Sequence, residues 1–330
     1  MEKIRCLILV LCVVALFPGC NNSNNGTVNG ASPKKLRLAF VANTADEYWA
    51  IVQLGCDYAA RTLGDVDLDF RFPAEHTAKA QQDLLSELVA SGVDGIAISP
   101  IDADSQTDFL NNLAAKTLLI CADSDAEKSK RVCYIGTDNV AAGRQAAVLL
   151  KAALPQGGKI IVFVGYPNAQ NTKDRLQGIQ DGLTGSGIQI VDTLADDHKS
   201  PIAQKNAEEA LAKYPDLVGL VGIYGYHGPA LLAAVRGVGK AGAVKIVCFD
   251  EDNDTLAGVA AGDIYGTVVQ KPLQIGWQTI VRMDKYLHGD KTQLADGKIL
   301  TSSRPLLKDD IAYFQEERKA MLLEQKGQHP

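Results

Sequence analysis

The sequence predicts an α/β fold of parallel sheets, divided into two lobes. Three observations carry this. Short β-rich apolar runs alternate with helical windows from residue 36 to about 287, and such alternation builds parallel sheets. Several runs lack period-two alternation, as strands do when helices cover both faces of a sheet. The runs are also many for one sheet, and they divide at YIGTDNVAAG (134–143) into one series over 36–137 and another over 140–270.

In chain order, the strands are read at 36–42 (LRLAFVA), 66–72 (VDLDFRF), 94–99 (DGIAIS), 117–122 (TLLICA), 131–136 (RVCYIG), 159–165 (KIIVFVG), 188–194 (IQIVDTL), 217–223 (LVGLVGI), 244–249 (VKIVCF) and 265–270 (YGTVVQ). Helical windows lie near 47–63, 77–91, 104–115, 140–153, 173–184, 203–213, 229–240, 253–261 and 273–287. Residues 301–330 read as a C-terminal extension carrying a charged amphipathic helix near 308–326.

The first nineteen residues read as an address. Lys3 and Arg5 precede an apolar run over 6–17, then Pro18-Gly19-Cys20. The run is short of the roughly 20 residues that span a bilayer, and it suits the core of a secretory signal. A small residue directly before cysteine resembles the bacterial lipoprotein signal, which implies cleavage before Cys20, lipidation of its sulfur and an exported protein anchored to a membrane. A plain signal peptide with an incidental cysteine is the alternative. Residues 20–33, rich in Asn and Gly, read as a flexible tether. Beyond it Cys56, Cys121, Cys133 and Cys248 sit among apolar neighbours and read as buried thiols, with Cys121–Cys133 the one pair that could bridge.

Composition narrows the function. The chain has 330 residues, 46% apolar and 22% charged, with a formal net charge of −6. Its size and apolar content suit two domains with real cores, and the acidic balance argues against nucleic-acid binding. Five histidines and seven cysteines form no metal-binding spacing, and no cofactor is implied. The first strand-to-helix turn (VANTADEYW) lacks the glycines of a dinucleotide fingerprint, and neither a P-loop nor GxSxG is present.

In open parallel sheets, ligands bind beyond the carboxyl ends of the strands. Here those ends carry Asn43, Asp46, Tyr48 and Trp49; Pro100 and Asp102; Asp123, Ser124 and Asp125; Tyr166, Asn168, Asn171, Lys173 and Arg175; Asp196, Asp197 and His198; Tyr224, Tyr226 and His227; Asp250; and Gln270. Carboxylates and amides share hydrogen bonds with hydroxyls, and ring faces pack against the C–H side of a sugar. This set suits a neutral polyol. Asp46, Asp123 and Asp250 could equally serve as helix N-caps.

These segments together resemble the type I periplasmic sugar-binding proteins, the ribose- and galactose-binding group that serves ABC importers. The carriers are AFVANTADEYWAIVQLGCDYAA, DGIAISPID, CADSDA with YIGTDNVAAGR, NTKDRLQGIQDGL, and IVCFDEDNDTLAGVAAGDIYGTVVQKPLQIGWQ, in that order over about 36–300. The resemblance implies two Rossmann-like lobes, 34–137 plus 271–300 and 138–270, joined by a three-segment hinge with crossings near 138, 270 and 300. It implies ligand contacts from Asn43, Asp46, Tyr48, Trp49, Asp123, Ser124, Asn171, Lys173, Asp250 and Gln270, and from Tyr226 or His227. Ser124 stands where relatives carry Arg, and Asp197 where they carry an aromatic ring. The expectation is a monomeric, non-catalytic receptor that closes on a monosaccharide or small polyol and docks on an ABC permease. A receptor feeding a membrane sensor kinase or chemoreceptor uses the same fold, and an α/β enzyme acting on sugars is the remote alternative.

Overall fold

The computed structural model describes residues 35–325. The leader, Cys20 and the tether fall outside the described residues. Among the described residues, no helix is long and apolar enough to cross a membrane.

The architecture is α/β, as the alternation predicts. The first sheet begins with β1 (Leu36–Val41), β2 (Val66–Arg71), β3 (Gly95–Ile98), β4 (Leu118–Ala122) and β5 (Cys133–Thr137), interleaved with α1 (Glu47–Leu63), α2 (Ala78–Ala90) and α3 (Ala103–Ala114). The chain then enters α4 (Asn139–Ala153) and builds a second sheet from β6 (Gly158–Val164), β7 (Ile188–Ala195), β8 (Leu217–Gly222), β9 (Lys245–Phe249) and β10 (Gly266–Val269). Its helices are α5 (Gln170–Leu183), α6 (Ser200–Lys213), α7 (His227–Gly237) and α8 (Asn253–Ala261). Helix α9 (Pro272–Leu287) returns to pack on α1. Two short strands follow, β11 (Lys298–Thr301) and β12 (Arg304–Leu306), then α10 (Ile311–Gln325).

The strand orders are β11-β5-β4-β3-β1-β2 and β12-β10-β9-β8-β6-β7. All pairings are parallel except β12 with β10. The chain therefore passes between sheets after Thr137, after Val269 and between Thr301 and Arg304. Residues from 301 onward, read as a C-terminal extension, pack into the fold. Thr301 closes β11, Leu306 pairs with Thr267, and Ile311 and Phe314 are buried in the core of the second sheet.

Each sheet is covered on both faces by apolar clusters, which accounts for the lack of alternation in β1, β3, β4, β8 and β9. The same packing settles the cysteines. Ile120 is the register partner of Cys133, and Cys121 that of Tyr134. Cys121 and Cys133 therefore point to opposite faces and join different clusters. All four described cysteines are free and buried.

Helix crossings carry this geometry toward the cleft. In the second lobe, a Cβ on Gly178 would lie 2.1 Å from the Val140 carbonyl oxygen, and one on Gly143 would lie 2.2 Å from that of Arg175. Only hydrogen at these positions lets α5 lie against α4 and bring Arg175 to Asn139 at the start of α4.

Candidate functional site

Two aspartates at matching places in the two sheets set the site. Asp123 follows β4 and Asp250 follows β9, and both adopt left-handed backbone, φ 65° and 69°. Asp tolerates this region better than most residues. In both places the surroundings hold the bend. The Asp123 N–H donates to Ile135 O (3.1 Å) and its carbonyl accepts from the Tyr134 hydroxyl (2.9 Å). The Asp250 N–H donates to Val268 O (2.9 Å) and its carbonyl accepts from Thr267 Oγ1 (2.7 Å). Each turn aims a carboxylate into one cavity.

The cavity's first wall comes from the loop after β1 and the start of α1. Asp46 caps α1 by accepting from the Trp49 N–H at 3.1 Å, so cap and cleft residue are one. Tyr48 donates its hydroxyl to Asp123 Oδ1 (2.8 Å). Trp49 Nε1 donates to Asn43 Oδ1 (2.8 Å), and Asn43 Nδ2 reaches Ser99 Oγ (3.3 Å). Ser99 Oγ and, across the cleft, Asn171 Nδ2 donate to Asp123 Oδ2 at 3.0 and 3.3 Å. At the second crossing, Thr137 donates to Gln270 Oε1 (2.7 Å), and Gln270 Nε2 donates to Asp250 Oδ1. A hydrogen-bonded chain thus joins the hinge to the cleft.

Asn43, Asp46, Tyr48, Trp49, Asp123, Asn171, Asp250 and Gln270 line this cavity together. Four sequence-predicted positions lie elsewhere, each for a definable reason. Ser124 is buried beside Asp123 with no hydrogen-bond partner for its hydroxyl. Lys173 lies at the rim and pairs with Asp104 of α3 at 3.0 Å. Its place in the cavity is taken by Arg175, because Asn171 and Arg175 are one helical turn apart on the buried face of α5. Tyr226 and His227 form a rank behind the wall. Both bond Asp196, His227 through Nε2 at 2.8 Å, while His227 Nδ1 accepts the Tyr224 N–H at 3.0 Å. That arrangement makes the imidazole neutral, with its proton on Nε2 toward Asp196. Burial accordingly holds its pKa below the usual value.

The positions missed by sequence reasoning are Arg175, His198, Tyr224 and Gly225. All but Gly225 stood among the strand-end residues without being singled out. Arg175 is 2% exposed. Its Nε donates to Asn139 Oδ1 (2.9 Å), its Nη1 donates to Ile223 O (2.6 Å), and its guanidinium lies 4.7 Å from the Phe249 ring centroid. His198 stacks on Tyr166 (centroids 5.3 Å, 14° between planes), and its Nε2 lies 3.1 Å from Asp46 Oδ2 of the other lobe. Its Nδ1 is buried without a partner.

One buried cation thus serves two buried carboxylates. Burial raises the pKa of Asp123 against the Arg175 charge and the hydroxyl bonds from Tyr48 and Ser99. Asp250 is pushed up to about 6 by burial, again against Arg175 and the Gln270 bond. A ligand hydroxyl that donates to Asp250 favours the ionised carboxylate, so binding releases a proton where Asp250 is still protonated. Affinity should therefore rise several-fold from pH 5 to pH 7.5. Titration calorimetry at pH 5.5 in buffers of different ionisation enthalpy should show proton release. A flat profile with no proton release would contradict ligation by Asp250.

Residues 38–291 match the family model described as "Periplasmic binding protein domain". The chain is 25% identical over 276 residues to the ribose import binding protein RbsB of Escherichia coli, covering 82% of this chain and 90% of that one. A solved ABC transporter solute binding protein from Burkholderia graminis, in complex with D-arabinose, superposes with a TM-score of 0.80 at 28% identity, covering 84% and 97% of the two chains. GanP, a glucose-galactose binding protein from Geobacillus stearothermophilus, gives 0.79 at 25%, covering 84% and 99%. On the extent of that match, two sheets joined by three passages included, this chain belongs to the periplasmic binding protein family.

Proposed function

We propose that this chain is the substrate receptor of an ABC-type sugar importer, binding a neutral monosaccharide or small polyol between its lobes without chemical turnover. The observation that carries this reading is the pair Asp123 and Asp250, one from each sheet, buried in one cavity that Arg175 also lines, with its charge acting on both. Carboxylates, amides and a guanidinium at such a site offer acceptors and donors to several hydroxyls. Tyr48, Trp49, Tyr224 and His198 supply ring surface for the C–H faces of a sugar. Relatives named for ribose, and a structural neighbour holding D-arabinose, support the ligand class. The same reading has the protein act as a monomer, exported and anchored to the membrane through Cys20, and deliver its ligand to a permease in the closed state.

A thermal-shift screen of the purified protein against pentoses, hexoses, polyols and deoxy sugars tests the reading, since native-state ligands raise the melting temperature. At least one sugar at 1,000 times its dissociation constant should add about 4 kcal/mol of apparent stability. A panel with no shift at millimolar concentrations would sink the proposal.

A further inference from the structure

Helix α10 lies beyond the residues matched by the family model, yet it touches both lobes. It is rooted in the second lobe by Ile311 and Phe314, by the β12–β10 pairing that precedes it, and by the ion pair of Glu317 with Arg304. From this base Arg318 reaches across. Its Nη2 donates to Glu47 Oε1 at 2.6 Å, and its Nη1 donates to Asn253 Oδ1 at 2.9 Å. Asn253 Nδ2 closes the triangle by donating to Glu47 Oε1 at 2.8 Å. Glu47 opens α1 in the first lobe, and Asn253 opens α8 in the second. The Arg318 side chain is only 12% exposed, and Glu47 is 33% exposed. Glu251 Oε1 lies 3.8 Å from Arg318 Nε, and burial pushes that carboxyl up to about 8.

Glu47 stands between Asp46 and Tyr48, which line the cleft. Arg318 itself borders a separate cavity whose wall includes Lys271 and Ser302 of the second and third crossings. We infer that Arg318 is a positioning residue for ligand binding: from α10 it clasps the start of α1 to the start of α8 and so favours the closed cleft.

The physical basis is geometric. A planar fork with two occupied nitrogens fits one relative placement of its acceptors. Hydrogen bonds of this kind weaken beyond about 3.2 Å, so a rotation of the lobes that separates Glu47 from Asn253 breaks the triangle. Apparent affinity scales with the population of the binding-competent state. The clasp therefore adds affinity without touching the ligand, and it rests on the proposed reading of the cleft.

The test compares wild type with Arg318→Gln, Glu47→Gln and the double variant, all retaining α10. Small-angle scattering of the ligand-free proteins reads lobe opening, and titration with a sugar that binds wild type reads affinity. Each single variant should show a larger radius of gyration and about five- to tenfold weaker binding, mainly through faster dissociation. The double variant should be no worse than either single one. Wild-type dimensions and affinity in both single variants would overturn the clasp, as would fully additive losses. If no sugar binds even wild type while Arg318→Gln still expands the ligand-free protein, the sugar reading fails and the clasp stands. Glu47→Gln, on a partly exposed helix start, keeps the test decisive should Arg318→Gln fold poorly.

Discussion

Asp250→Asn should abolish most ligand binding and at the same time raise the melting temperature of the ligand-free protein at pH 7.5. Asparagine keeps the size of the side chain, tolerates the left-handed backbone at this position and can still accept the Gln270 bond. What it removes is a buried charge. Asp250 has its pKa raised to about 6 from the ordinary aspartate value of 3.8, with burial the main cause. In the interval between those values the native state binds more protons than the unfolded chain. The contribution of this group to stability is fully present below the unfolded value and is lost as pH rises through the folded one. At pH 7.5 the ionised carboxylate therefore costs about 2–3 kcal/mol, and the amide does not. Against this, each hydroxyl bond to the charged group is worth about 1.5–3 kcal/mol, or roughly 10- to 150-fold in affinity. Thermal melts from pH 4 to pH 8 should show the advantage of the variant growing with pH. A variant less stable than wild type at pH 7.5, or one that binds sugar normally, would contradict the role of Asp250. Strained, charged groups kept at a cleft against their stability cost are a common mark of function.

Arg175→Met should be the most damaging single change to the ligand-free protein. The methionine fills much of the apolar path beside Phe249 but strips two buried carboxylates of their shared cation. It also leaves Asn139 Oδ1 and Ile223 O without their donors. Removing one partner from a buried charged network costs about 3–5 kcal/mol, or roughly 10 °C in melting temperature for a chain of this size. The loss should shrink as pH falls toward 5, because Asp250, raised to about 6, then neutralises. A melting temperature within about 2 °C of wild type at pH 7.5, or a deficit that does not respond to pH, would show that Arg175 does not balance those charges.

Much of the fold was legible in the sequence because its signals are local. Helix α1 begins at its Asp46 cap and ends before Gly64, which takes the left-handed conformation, φ 79°. Helix α8 lies between the Asp252 cap and Gly262, φ 87°. The long apolar strands announce burial on both faces. Strands β11 and β12 were invisible because they have four and three residues and owe their existence to pairing with β5 and β10. The inward placement of α10 was equally hidden. Its charged residues mask the two anchors, Ile311 and Phe314.

The site divides along the same line. Residues directly after strands, such as Asp123 and Asp250, were found because strand ends can be read from composition. Arg175 was passed over for Lys173, although helical phase favours it. Asn171, Arg175 and Gly178 recur on the buried face of α5, and Lys173 points away. Tyr224 gave way to Tyr226 and His227 because the family resemblance aligned the contact there, although the reading of β8 at 217–223 ends within one residue of Gly222. His198 draws its place from a loop in which Asp197 and His198 are both left-handed, φ 52° and 58°, a conformation that no sequence pattern announces.

On the proposed reading, a neutral sugar lies between Asp123 and Asp250 with both lobes in contact. A crystal structure of the protein grown with the sugar that gives the largest thermal shift tests it most directly. Ring hydroxyls should lie within hydrogen-bonding distance of Asp123, Arg175 and Asp250, with Tyr48 or Trp49 against a ring face. A sugar bound elsewhere on the molecule, or one held by a single lobe while both aspartates stay free of it, would refute sugar binding between the lobes.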